Sequence, residues 1–403
     1  MNRPSTTLHP DEEAFAHLLR DNLTATEEKE LEEHQGEYRR TKSEKFFDKF
    51  VRPLLPNAKV SGTGNVGNPI WFHRAGWITA LHDNASFRGS RYDYPLTSTN
   101  RLVHYTSAQT LLSILREASI RLYDLNHMDD PKEFSFGARD FGYSSNHQLK
   151  EARSQLFSFS LVPIDEKCEE EDFNLWQYGD NGNGVAIVFS IDSGTQYEWN
   201  NFHLSPVNYS ATIPAEFERF SERVKQFGDE EYFWVKQHEG LLVKLAAFHK
   251  SNIFAFEREV RLLRYYEHEL YYRDSARMKW PRDIGLDVGR NGQRSFFDRL
   301  YLGQEWESRY RLPAEFEEKY GAANRLFPKL KIERVILGYR LNPINVWDLQ
   351  ESIHILAHQN LGYSFEITKS KFFDHFSRRE HQEDSGHASF ARPESQPIQP
   401  PSA

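Results

Sequence analysis

The stretch RLVHYTSAQTLLSILR, residues 101–116, contains a strand, a turn and a helix within sixteen positions. Leu102 to Tyr105 reads as a short strand, and a Thr-Ser pair follows. From there Leu111, Leu112 and Leu115 recur on one helical face through residue 117. Ser107 is the expected N-cap, because its hydroxyl can accept one of the first unpaired N–H groups of the helix. A His104-Tyr105 pair therefore sits at the end of a strand, immediately before a turn. A histidine there is first a structural or solvated residue, and only its companions elsewhere in the chain give it a chemical role.

Outward from this unit the same alternation of elements continues. SIRLYDLN (119–126) and LFSFSL (156–161) read as strands. Asn-Gly-Asn-Gly turns directly into a buried strand, Val185 to Ile191. Helical patterns follow at 214–227 and 230–249, then a strand entered through charge at 255–267, AFEREVRLLRYYE. KIERVILGYRLN (331–342) and YSFEIT (363–368) supply further strands, with a helix opening near Asn342 or Asn345 between them. Strands and helices in unequal order with several hairpin-length links predict an α+β fold, a mostly antiparallel mixed sheet with flanking helices. The expected core domain is 96–375, with an insertion at about 268–325. Residues 1–95 read as a helical or irregular N-terminal arm, and 376–403 as a disordered tail too poor in apolar residues to order itself. The arm carries only a thin apolar stripe, so it offers a surface to the core domain or to a protein partner.

Composition narrows the function classes. The 403 residues carry a net charge of -9, which does not favour bulk capture of nucleic acid, although a local basic groove stays open. A single cysteine, Cys168, excludes disulfides and cysteine-type zinc sites within the chain. No apolar run approaches the ~20 residues of a membrane helix, and the first residues lack a signal-peptide core. A cytoplasmic protein without a membrane partner is expected. GTGNVGN (62–68) has the glycines of a phosphate loop but lacks its Lys-Ser/Thr ending and a preceding strand.

Four clusters at strand ends or adjoining loops carry chemistry. They are His104-Tyr105; Asn126 to Phe134 with Asp129, Asp130 and Glu133; Trp176-x-Tyr178; and Phe256-Glu257-Arg258-Glu259-Val260-Arg261. Each has a plain structural reading. Glu257, Glu259 and Arg261 alternate like the solvated face of a strand, Trp176 and Tyr178 suit core or loop anchors, and Asp129-Asp130 before Pro131 forms turns.

The order of these motifs adds a further expectation. HYTS, N-x-x-D-D-P-x-E-F, F-S-F-S, W-x-Y followed by G-V-A-I-V-F, then F-E-x-E-x-R-L-L resembles the family of unknown function DUF2971 over roughly residues 101–340. An early His-Tyr, a serine-bearing middle strand and a late glutamate also resemble the three-part signature of the ADP-ribosyltransferase superfamily. That resemblance implies an ADP-ribosyltransferase-like sheet and NAD as a substrate, with an unknown acceptor. It suggests a bacterial toxin or phage-defence effector. His104 would bind the adenosine ribose, Tyr105 or Tyr178 would stack on nicotinamide with Trp176 beside them, and Ser158 or Ser160 would support the site. Glu259 would stabilise the sugar cation and Glu257 would activate the acceptor, with Arg261 orienting a carboxylate or gripping pyrophosphate. The Asn126–Glu133 loop would brace the cleft. A metal-dependent nuclease or phosphoesterase, with His104, Asp129, Asp130, Glu257 and Glu259 as oxygen-rich ligands, is the other enzymatic reading. A sensor or interaction module is the non-enzymatic one.

Overall fold

Ser107 is extended and accepts the Thr110 N–H at 3.1 Å, capping the helix Ala108–Glu117; Ala118 in the left-handed region ends it. The computed structural model describes residues 44–45, 47–61, 77–78, 84–96, 101–125, 153–164, 171–191, 196–199, 201–212, 214–226, 241–265, 283–288, 294–314, 317–318 and 322–373. The Asn126–Glu133 loop, with Asn126, Asp129, Asp130 and Glu133, lies outside these residues, as do the glycine-rich 62–68 stretch, most of the arm and the tail.

The described strands are β1 (Val60–Ser61), β2 (Trp77–Ile78), β3 (Arg101–Thr106), β4 (Ser119–Asp124), β5 (Leu156–Ile164), β6 (Val185–Ile191), β7 (Phe202–Pro206), β8 (Asn208–Ser210), β9 (His249–Ser251), β10 (Val260–Tyr265), β11 (Ile284–Val288), β12 (Arg294–Tyr301), β13 (Leu330–Leu337) and β14 (Glu366–Lys369). The helices are α1 (Ala108–Glu117), α2 (Ala215–Gln226), α3 (Gly303–Arg309), α4 (Ala323–Leu326) and α5 (Pro343–Leu356). Ten strands form one sheet in the order β11-β12-β4-β5-β3-β6-β13-β14, with β10 joining β5 to β7. All its pairings are antiparallel except β13 with β14, so the expected mixed, mostly antiparallel α+β fold is present.

Strand β5 is the hub. It pairs with β3 only through Val162 to Ile164, with β4 only through Phe157 and Ser158, and with β10 from Leu156 to Leu161. β3 and β4 both run antiparallel to β5, so α1 is the crossover between two strands of like direction. The polar positions Ser158 and Ser160 face the same side as Leu263 and Arg261 opposite them.

Alternation along β10 serves two cores. Val260 and Leu262 enter the larger one with β6 and β13, whereas Leu263 and Tyr265 enter a second. That second core takes Phe47, Val51, Leu54, Leu55, Phe87 and Tyr92 from the N-terminal region, packed with Phe217 and Phe248. The packing therefore does not break at residue 95, and the described part of the arm is core rather than cover. The 268–325 stretch likewise departs from an insertion. Its β12 pairs with β4 in the sheet, and Leu300, Trp306 and Tyr310 are buried in the larger core.

Three imidazoles give the fold a pH dependence: burial, with Lys244 nearby, holds His203 well below its ordinary value, and two others are shifted less. Burial pushes His249 down to about 4, with Tyr92 Oη against its Nε2 at 2.9 Å, and burial also pushes His104 down to about 4, opposed by its bond to the Ser160 carbonyl. Both rings stay neutral when folded but take a proton near 6.5 once unfolded. Their contribution is complete above that value and is lost as pH falls towards 4. Unfolding by urea should show a stability loss of about 2 kcal/mol per ring between pH 7 and pH 5. A His249→Gln variant should lose correspondingly less over the same interval; an equal loss would place the titration elsewhere.

Candidate active site

A cavity of about 770 Å³ opens where β3 and β4 leave β5, against the helix α1 that connects them. His104 reaches it from β3, Ser158 and Ser160 from β5, and Tyr178, Glu257 and Glu259 from two loops. Residues separated by more than 150 positions thus share one wall.

The Tyr178 loop is held by several local devices. Asp172 caps the 3-10 turn Phe173–Gln177, and Tyr178 follows it directly. Gly184 lets this loop lie against β3, since a Cβ there would come within 2.2 Å of the Thr106 carbonyl oxygen. Tyr105 accepts the Asp172 N–H on its hydroxyl at 3.1 Å and packs edge-on against Trp176 at 5.3 Å. Tyr105 therefore braces the loop, even though it also lines the cavity. Trp176 is fully buried, donates Nε1–H to Glu171 at 3.2 Å and does not reach the cavity, so its expected place among the cofactor-binding residues gives way to a packing role. Tyr178 is the half-exposed ring, at 48%.

The E-x-E segment is not strand, contrary to the 255–267 expectation. Glu257 closes a 3-10 turn, Asn252–Glu257; Arg258 is left-handed at φ 47, and β10 starts only at Val260. The kink aims both carboxylates at one ammonium. Lys250, on β9, donates to Glu257 Oε2 at 2.6 Å and to Glu259 Oε2 at 2.9 Å. None of the alternating charges is a solvated face: Glu257, Glu259 and Arg261 are 7%, 4% and 2% exposed. Arg258 instead reaches out to Asp172 at 3.1 Å and ties the two loops together.

The two glutamates differ in what they have left to offer. Glu259 accepts from Lys250, from Arg261 Nε at 2.8 Å and Nη2 at 3.1 Å, and from the Ser160 hydroxyl. Four donors fill its two oxygens. Glu257 accepts one donor per oxygen, Tyr178 Oη at 2.5 Å and Lys250, so among the described residues it keeps lone pairs for a ligand. Arg261 lies behind Glu259, its Nη1 committed to the Ala247 carbonyl at 2.5 Å, and lines no part of the cavity. A grip on pyrophosphate is therefore not its place. Burial alone would lower the Lys250 ammonium, but Glu259 and Glu257 raise it above its ordinary value. Burial pushes the Glu259 carboxyl up, against the pull of Lys250. Burial and the bond to Glu257 raise the Tyr178 phenol, so it stays a donor near neutral pH.

His104 Nδ1 lies 2.9 Å from the Ser160 carbonyl, which requires the proton there and leaves Nε2 as an acceptor. Its depressed value keeps the ring neutral near pH 7. For the metal reading, Asp129 and Asp130 lie outside the described residues, and the donors that are described do not fit a metal. The position between the two carboxylates is filled by the Lys250 ammonium, and no group of three His, Cys, Asp or Glu able to hold a metal occurs among the described residues. Lys250 itself escaped the sequence, where a helix read through residue 249 hid the short strand His249–Ser251.

The described residues thus define an α+β protein with a cluster of two carboxylates, a lysine and an arginine beside a cavity. Residues 175–262 match the family model DUF2971, protein of unknown function. The match covers Tyr178, Lys250, Glu257, Glu259 and Arg261; it is narrower than the 101–340 span of the ordered motifs and leaves out His104, Ser158 and Ser160. No curated protein and no solved structure matches the chain. No helix among the described residues is long and apolar enough to cross a membrane.

Proposed function

We propose that the protein is an NAD-consuming enzyme of the ADP-ribosyltransferase type, transferring ADP-ribose to an acceptor or to water. One observation carries this reading: His104, the β5 serines, Tyr178 and the E-x-E segment meet in one cavity, of a volume usual for small-molecule sites. In this reading His104 Nε2 accepts from a ribose hydroxyl, and the half-exposed Tyr178 ring offers a face to nicotinamide. Cleavage of the nicotinamide-ribose bond leaves the electron pair with nicotinamide and positive charge on the sugar. A fixed carboxylate with free lone pairs stabilises that charge more than it stabilises the neutral ground state. The resemblance gave this role to Glu259, but its saturated oxygens favour Glu257. Glu259 then anchors Lys250 and Arg261.

The assay is nicotinamide release from purified protein at millimolar NAD, with and without EDTA. Release is expected to survive EDTA and to fall by roughly 10²- to 10³-fold in Glu257→Gln. The Glu257→Gln variant should bind NAD nearly as well as the wild type. Wild-type protein that releases no nicotinamide with any acceptor or water ends the proposal, and a strict metal requirement moves the site to phosphoester chemistry.

A further inference from the structure

In an antiparallel pair, opposed residues alternate between exchanging two peptide bonds and exchanging none. On β10, Glu259 and Tyr265 bond towards β7: Val207 donates its N–H to the Glu259 carbonyl at 2.8 Å, and Tyr265 donates its own to the Asn201 carbonyl at 2.9 Å. Alternation puts Arg261 and Leu263 on that side too, and turns Val260, Leu262 and Arg264 towards Leu161, Phe159 and Phe157 of β5. Ser158 and Ser160, opposite Leu263 and Arg261, therefore point their peptide groups away from β10, to the edge where β4 and β3 lie. Ser158 meets Tyr123 of β4 there. Ser160 meets no strand among the described residues, because the β3 register stops at Val103 opposite Val162 and the β4 register at Tyr123 opposite Ser158. His104 Nδ1–H takes the Ser160 carbonyl instead, at 2.9 Å. The Ser160 N–H is left facing the gap where the sheet splits, on the wall of the cavity. Two residues earlier on the same strand, the Ser158 hydroxyl also faces the cavity; it is buried, its residue 8% exposed, and has no hydrogen-bond partner among the described residues. A buried polar group left unpaired costs free energy, so the pair marks where a ligand supplies the missing bonds. Glu257 and Glu259 on the same cavity oppose an anion, and a peptide N–H opposes a cation. What fits is a neutral acceptor oxygen with a donor beside it.

We propose that the split at Ser160 is a subsite for a neutral primary carboxamide. Its oxygen accepts the Ser160 N–H, and its N–H2 donates to the Ser158 hydroxyl. The two serines stand roughly 7 Å apart along the strand, a span that an amide with one hydrogen bond at each end bridges. That the carboxamide is the one on nicotinamide rests on the NAD reading. No covalent step is involved.

The test is amide hydrogen exchange and calorimetry on the full chain, with nicotinamide, 3-acetylpyridine and pyridine as probes. Without ligand, the Ser160 amide should exchange faster than those of Phe159 and Leu161, which the β10 ladder protects. Saturating nicotinamide should slow it at least ~10-fold, an added bond's worth of protection, and pyridine should leave it unchanged. Nicotinamide should bind about 5-fold more tightly than 3-acetylpyridine, which keeps the carbonyl but lacks the N–H2. Ser158→Ala should erase that preference while nicotinamide still slows the Ser160 amide. A Ser160 amide as slow as its neighbours in the empty protein overturns the subsite, as do equal binding of nicotinamide and 3-acetylpyridine and failure of nicotinamide to bind. Cleavage of NAD with Ser160 exchange unchanged by nicotinamide overturns the subsite and leaves the NAD reading standing. Carboxamide-dependent protection in a protein that never cleaves NAD keeps the subsite and ends that reading.

Discussion

Lys250→Met is expected to be among the most damaging single substitutions in the protein. It leaves Glu257 and Glu259 facing each other in a buried site, with no ammonium between them. Breaking a buried ion pair on one side costs about 3–5 kcal/mol, because the remaining charge keeps its desolvation penalty. The variant can escape by protonating one carboxylate, since close like charges push one of the two titrations upward. The gap between variant and wild type should therefore be widest near pH 8 and shrink as pH falls to 6. Urea unfolding at the two values measures it. Adding Glu257→Gln to the lysine variant should restore part of the stability, because a single remaining carboxylate, Glu259, still has Arg261 and Ser160. Additive losses in the double variant would mean that the lysine and the glutamate do not interact.

This cluster also shows where the sequence is legible and where it is not. The β3-α1 unit was readable because a short strand, a serine cap and a helical leucine face all agree locally, and Ser107 does cap α1. Tyr178 could be singled out as an aromatic just before the Asn-Gly turn. The E-x-E-x-R run misled, because a two-residue alternation looks the same in a strand as in a turn followed by a strand. Only the left-handed Arg258 separates the two, and arginine gives no hint of it. Lys250 was invisible for a different reason: its partners lie seven and nine positions away across a kink, not on a regular face. Trp176 and Arg261 have residue types common in binding sites, yet packing against Tyr105 and Glu259 takes both out of reach of a ligand. The membership of β12 in the sheet is a long-range pairing that no local pattern encodes.

Removal of residues 1–95 should abolish folding rather than release an appendage. Phe47, Val51, Leu55, Phe87 and Tyr92 are completely buried, and Leu54 nearly so, against Leu263, Tyr265, Phe217 and Phe248. Six side chains at ~1.5–3 kcal/mol each come to about 10 kcal/mol or more, comparable to the whole stability of a typical domain. Polar contacts go with them. Asn84 donates to the carbonyls of Gln196 and Trp199, at 3.1 and 3.0 Å, and Tyr92 bonds His249, the residue before Lys250. The effect therefore reaches the site: β9 holds the lysine, and the N-terminal region holds β9. A 96–375 chain should be insoluble or lack a cooperative unfolding transition. A 44–375 chain, which keeps these contacts, should retain a wild-type transition and the same response to Lys250→Met. A soluble, cooperatively folded 96–375 chain would show that the second core is dispensable and that β10 is held by β5 and β7 alone.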